Sequence, residues 1–129
     1  MLKKASKTKA SGAAGTRVAI VASRYNARYV NSMLRAAKAE LAKAKVAAEV
    51  VRVPGAFEIP AVASALARRL INPVDAILCL GVILRGETTH AENIGQAVTG
   101  VLAQLQVEHS LPVIHEVLLL ENVQQARER

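Results

Sequence analysis

Three short segments of this 129-residue sequence hold the side chains best suited to chemistry: Ser23-Arg24-Tyr25-Asn26, Pro54-Gly55-Ala56-Phe57-Glu58 and Arg85-Gly86-Glu87-Thr88-Thr89-His90. Gly86-Glu87-Thr88-Thr89 would set backbone N–H groups and hydroxyls at the start of a helix, which makes an anion site. His90, directly after it, could donate and accept a proton beside a phosphate leaving group. Tyr25 could stack on a flat ring. The anion would belong to a small molecule. No Gly-Lys-Ser/Thr closes the loop as in a nucleotide-binding P-loop, and no G-x-G-x-x-G follows a strand. Each residue also has an ordinary role open to it. Tyr25 could seal the top of a helix, Pro54-Gly55 could be a plain turn, and Glu58 a carboxylate favoured by a helix dipole. Thr88 or Thr89 could only cap, and His90 could be a structural hydrogen-bonder. His90, His109 and His115 lack zinc-motif spacing. Cys79, the only cysteine, lies in an apolar run, so neither an intrachain disulfide nor a cysteine-rich metal site can form, and a buried inert thiol is expected.

The elements that must position these segments follow from periodicity. Val18 to Ala22 is an apolar run that predicts a buried strand. Asn26 to Ala44 carries Leu34, Ala37 and Leu41 at helical spacing, with Asn26 or Asn31 as the cap. Glu49 to Val53 predicts a second strand, closed by Pro54-Gly55. Phe57 to Leu70 predicts a helix with Arg68 and Arg69 in its last turn, where the dipole favours cations, and Pro73 closes it. Ala76 to Leu84 predicts a long third strand, Thr89 to about Glu108 a third helix, Pro112 to Leu120 a fourth strand, and Asn122 onward a further helix. Strands without polar alternation indicate a parallel sheet covered on both faces. The fold class is therefore α/β, a three-layer α/β/α arrangement with a flavodoxin-like four-stranded parallel sheet in the order 2-1-3-4. In such a sheet ligands bind beyond the carboxyl ends of the strands at the switch point, between strands one and three. The three segments leave strands one, two and three at that edge.

Charge narrows the partners. Of 17 Lys and Arg residues, five (Lys3, Lys4, Lys7, Lys9 and Arg17) lie in the first 17 residues, leaving 12 cations against all 10 acids beyond. Residues 1–16 read as a flexible basic arm and 17–129 as a single domain. A basic arm could hold nucleic acid non-specifically. Nothing beside it reads bases, and with only Tyr25, Tyr29 and Phe57 as aromatics the chain lacks the stacking faces of a single-strand binder, so a nucleic-acid partner is not expected. No stretch has the apolar length to span a bilayer, and the start lacks the apolar core of a secretory signal.

Val53-Pro54-Gly55-Ala56-Phe57-Glu58-Ile59-Pro60 and Leu80-Gly81-Val82-Ile83-Leu84-Arg85-Gly86-Glu87-Thr88-Thr89-His90 together resemble the lumazine synthase family. The likeness extends to Arg24-Tyr25-Asn26, Leu111-Pro112-Val113-Ile114 and the run from Glu121 to Arg129, and so covers about Arg17 to Arg129. It implies a transferase that performs the penultimate step of riboflavin biosynthesis. That step condenses 5-amino-6-(D-ribitylamino)uracil with 3,4-dihydroxy-2-butanone 4-phosphate to 6,7-dimethyl-8-ribityllumazine, with loss of phosphate and water, and uses no cofactor or metal. By the same resemblance, Tyr25 stacks on the pyrimidine, with Asn26 beside it. Ala56, Phe57 and Glu58 contact the ring side and ribityl chain. The main chain of Val82, Ile83 and Leu84 hydrogen-bonds the pyrimidine, Glu87 and Thr88 contact the phosphate ester, and His90 is the proton donor and acceptor. Arg129 matches the arginine that grips the phosphate from an adjacent subunit. The resemblance further implies a cytoplasmic homo-oligomer, a pentamer or a sixty-subunit shell, with riboflavin synthase as a partner.

Three departures stand out. The family usually has Phe-Gly where His115-Glu116 stand. His115 could still offer a flat ring to the neighbouring subunit's ring site; alternatively the two are a hydrogen-bonded pair at a strand end. Leu118-Leu119-Leu120 includes positions that are often threonine. The C-terminal helix reads as truncated at Arg129. The departures motivate one alternative, a catalytically weak shell-forming or ligand-holding protein of the same fold, against which intact Glu58 and His90 argue.

Overall fold

The computed structural model describes residues 15–86, 90–122 and 124. Four strands, β1 (Arg17–Ser23), β2 (Ala47–Val53), β3 (Ala76–Leu84) and β4 (Val113–Leu120), form one parallel sheet in the order β2-β1-β3-β4. The predicted topology is therefore observed. Helix α1 (Ala27–Lys43) follows β1, a short 3-10 helix (Ala56–Glu58) runs into α2 (Ile59–Ala67) after β2, and α3 (His90–His109) follows β3.

Strand alternation sends side chains to two cores. Ala19, Val21, Ile77, Cys79, Val113 and Val117 face α2 and α3, where they meet Ile59, Ala63, Leu66, Val98, Leu102 and Leu105. Ile20, Ala22, Leu80, Val82 and Leu120 face α1 and pack on Val30, Leu34 and Leu41. Both faces of the sheet carry helices, and the polar positions fall mainly on the outer strands β2 and β4, while β3 is wholly apolar. The middle strands are the driest: Ala19, Ile20, Val21 and Ala22 are wholly buried. Gly81 permits the closest packing under the site. A methyl group there would meet Ile59 Cδ1, Ser23 Oγ and Val117 Cγ1, each at 3.3 Å. Cys79 is buried, and desolvation pushes its thiol up to about 12, so it packs as an inert apolar group.

Local expectations shift at the ends of elements. Asn26 occupies the N-cap position of α1 but makes no side-chain cap; it adopts φ 59°, and its amide turns away to β3. Asn31 lies inside α1 and accepts from Arg52, so it is no cap either. The helix expected from Phe57 to Leu70 begins with 3-10 geometry and ends at Ala67. Arg68 is its C-cap, and Arg69 lies beyond it. Arg69 leaves the helix dipole to make a paired contact with Glu49, Nη1–Oε2 2.9 Å and Nη2–Oε1 2.8 Å, and to donate to Asn72 O. A bidentate ion pair outweighs a partial charge at a helix end. The expected arm, apart from Gly15 and Thr16, lies outside the described residues, as do Glu87, Thr88, Thr89, Arg129 and most of the helix expected after Asn122.

Candidate active site

The turn after β1 is held from two sides by main chain and side chain. Arg24 N–H donates to Val53 O at 2.7 Å and Tyr25 N–H to Pro54 O at 3.0 Å, which ties the turn to the exit of β2. Asn26 Nδ2 donates to Val82 O at 2.6 Å, which ties it to β3. Asparagine tolerates the left-handed backbone this requires. With its backbone fixed, the Tyr25 side chain stays 75% exposed.

The exit of β2 is organised by the carboxylate half of a capping box, its N-cap being a glycine. Glu58 Oε1 accepts from Gly55 N–H at 2.9 Å, so the carboxylate closes the turn and sits at the head of the helical segment. Phe57, between them, is 61% exposed. The exit of β3 is tethered by Arg85, whose N–H donates to Leu120 O at 2.8 Å and whose guanidinium pairs with Glu92 and reaches Glu121 at 3.8 Å. His90 then opens α3 as an exposed residue.

These three exits enclose a cavity of about 770 Å³. Its lining includes nine residues selected from the sequence: Tyr25, Asn26, Ala56, Phe57, Glu58, Val82, Ile83, Leu84 and His90. Two exposed aromatics stand at a largely apolar slot, with a carboxylate, a helix N-terminus and an imidazole bordering it. A flat heterocycle can be stacked there, an anion received at the end of α3, and a proton moved at His90. Among the described residues no three His, Cys, Asp or Glu side chains converge to hold a metal ion.

His115 does not line this cavity. It is the third residue of the eight in β4, level with Cys79, and five residues short of the exit at Leu120. It is not paired with Glu116. Its Nδ1 accepts from Val117 N–H at 3.1 Å, so Nε2, 2.8 Å from Thr99 Oγ1, is the protonated nitrogen in this arrangement. Glu116 points to the other face of the strand and is exposed.

The cavity also includes Gly55, Gly86, Ala91, Asn93 and Ile94, which the choice of site residues from the sequence left out. The signal for two of them was present. Once His90 opens a helix, Asn93 and Ile94 at i+3 and i+4 share its face.

An open parallel α/β sheet with a stacking slot at its switch point and a helix end on the rim defines a protein that binds small molecules rather than dinucleotides. The chain belongs to the 6,7-dimethyl-8-ribityllumazine synthase family, whose model matches residues 15–129. A relative from Pediococcus pentosaceus bearing that name is 39% identical over 116 residues, spanning 88% of this chain and 73% of its own. One from Frankia casuarinae is 42% identical over 118 residues, spanning 90% and 71%. One from Mycobacterium avium is 41% identical over 124 residues, spanning 91% and 71%. Both bear the same name. No helix among the described residues is long and apolar enough to cross a membrane.

Proposed function

We propose that the cavity at the switch point is where this chain condenses 5-amino-6-(D-ribitylamino)uracil with 3,4-dihydroxy-2-butanone 4-phosphate to 6,7-dimethyl-8-ribityllumazine, releasing phosphate and water. This is the transferase reaction of the penultimate step of riboflavin biosynthesis. The observation that carries the reading is the gathering of Tyr25, Phe57, Glu58 and His90 around one slot, in a chain of this family.

In this reading the pyrimidine lies against Tyr25 and meets the main chain of Val82 to Leu84, with Asn26 beside it. Ala56, Phe57 and Glu58 flank the ring side and ribityl chain. Glu87 and Thr88 receive the phosphate ester. The substrate amine attacks the ketone and water leaves to form an imine. Elimination then expels phosphate, the carbonyl arm swings round, and the second amine attacks its carbonyl carbon, with loss of a second water as the ring closes. Each step moves protons between neighbouring heteroatoms, which His90 performs as donor and acceptor. Holding both substrates in one orientation supplies much of the remaining advantage. Incubating the chain with both substrates and following lumazine absorbance tests the reading; absence of product at any enzyme concentration overturns it. The weak shell-forming or ligand-holding alternative is not favoured, since no feature of the cavity opposes catalysis.

The finer reading is a cytoplasmic pentamer or sixty-subunit shell, with riboflavin synthase as a partner and a site shared between subunits. One chain supplies Tyr25, Glu58 and His90, and the next supplies His115 and Arg129. The position of His115 outside its own chain's cavity lining supports this. Mixing His90→Ala and Arg129→Ala chains under reassembly conditions separates the cases. A shared site recovers about a quarter of its sites in a randomly mixed ring. A site within one chain recovers none.

A further inference from the structure

Arg52 is a half-buried cation whose contacts the reading above does not use. It lies in β2 opposite Ala22 of β1. Its Nε donates to Ala22 O at 3.2 Å, and its Nη2 donates to Ser23 O at 2.9 Å and to Asn31 Oδ1 at 2.9 Å. All three acceptors are uncharged. Arg69 and Arg85 pair with carboxylates, whereas among the described residues no carboxylate pairs with Arg52. A guanidinium suits this place through the shape of its acceptors. Its planar fork spans two successive carbonyls and a side-chain oxygen in a way that a lysine ammonium cannot.

The two carbonyls belong to the last two residues of β1 and stand immediately before Arg24-Tyr25-Asn26. The exposed Tyr25 ring has little packing of its own to orient it, so its direction is inherited from the backbone beneath. Arg24 N, Tyr25 N and the Asn26 amide hold that turn from the β2 and β3 sides. Arg52 holds its root and joins it to α1. We propose that Arg52 is a positioning residue for the ring slot, acting through the Tyr25 turn and not through the phosphate or proton-transfer end of the site. The proposal rests on the functional reading above.

The test is a double-variant cycle with each kinetic constant measured separately. Arg52→Ala is expected to raise the KM for the pyrimidine substrate about 5- to 10-fold. The KM for the butanone phosphate and kcat should stay within about twofold, since the residues around His90 hang on a different strand. Arg52→Lys should recover only part of the loss. In a Tyr25→Ala background, Arg52→Ala should change the pyrimidine KM less than about twofold, because the ring it positions is gone. Multiplicative effects in the double variant, equal losses for both substrates, or an unchanged pyrimidine KM would each overturn the proposal. Should Arg52→Ala not fold, Asn31→Ala removes one of the three acceptors and is expected to show the same one-sided pattern at about 2- to 3-fold; a two-sided pattern refutes the proposal. A wild-type chain that forms no lumazine refutes the functional reading instead. Equilibrium dialysis of the pyrimidine alone then decides the role of Arg52, with unaltered binding by Arg52→Ala counting against it.

Discussion

The exits of β1, β2 and β3 and the body of β4 use polar side chains in opposite ways. At the exits, Asn26, Arg52 and Glu58 direct their polar atoms at the main chain, and the aromatic faces of Tyr25 and Phe57 are left outside. On β4, the ring of His115 is turned onto α3 and engaged at both nitrogens, while apolar Ile114 and Leu119 are exposed. The two histidines show the contrast most sharply. His90 is an exposed residue at a helix start on the cavity, and His115 is locked in mid-strand. A binding slot is thus made by fixing backbone and leaving the faces of Tyr25 and Phe57 outside, whereas the edge strand holds its polar ring and exposes aliphatic side chains. Residue type alone does not tell the two apart.

The largest expected effect tests the two histidines. His90→Ala should lower kcat by about 10²–10⁴-fold, the usual loss of a general acid–base, in a chain that still folds. His115→Ala should cost activity far less, less than about tenfold, because it removes a ring contact and not a proton carrier. Steady-state rates beside thermal melts compare them, and equal losses in kcat would erase the contrast.

The next effect separates the slot from its floor. Ile59 is wholly buried beneath the slot, and Ile59→Ala should cost about 2–5 kcal/mol in urea unfolding. Gly81→Ala acts from the opposite direction. The added methyl has three neighbours at 3.3 Å, so overpacking of about 1–3 kcal/mol is expected, read as a lower urea midpoint at unchanged slope. A neutral result would mean that the floor yields more readily than a close-packed core.

The smallest effect lies at the far end of β2, away from the slot. The hydrogen bonds from Arg69 hold the Glu49 carboxyl below its usual value of 4.5. A depressed carboxyl contributes stability above its unfolded value, and that contribution is lost as pH falls through the folded one. The pair is partly exposed, so solvent screens it and its contribution is small. The stability gap between the parent chain and Glu49→Gln should be present at pH 7 and shrink as pH falls below the usual glutamate value of 4.5, as followed by thermal melts. A gap independent of pH would assign the effect to packing.

Much of this molecule can be read from local chemistry. Continuous apolar runs such as Ala76 to Leu84 and Val18 to Ala22 demand burial on both faces, and with helical periods between them they specify a parallel sheet; right-handed crossovers leave few orders, of which 2-1-3-4 is the commonest at this length. The order in turn assembles the segments around Tyr25, Glu58 and His90 at one edge. Types and spacing suffice here because strand alternation and right-handed crossover are local rules. Partner choice lies beyond them. Asn26 looked like a cap and bonds Val82 across 56 residues; Arg69 looked like a dipole cation and bonds Glu49 across 20; Arg52 gave no sign of spanning β1 and α1. A side chain with several donors takes whichever acceptor the packed fold brings within about 3 Å, and that distance exists only once sheet and helices have closed together.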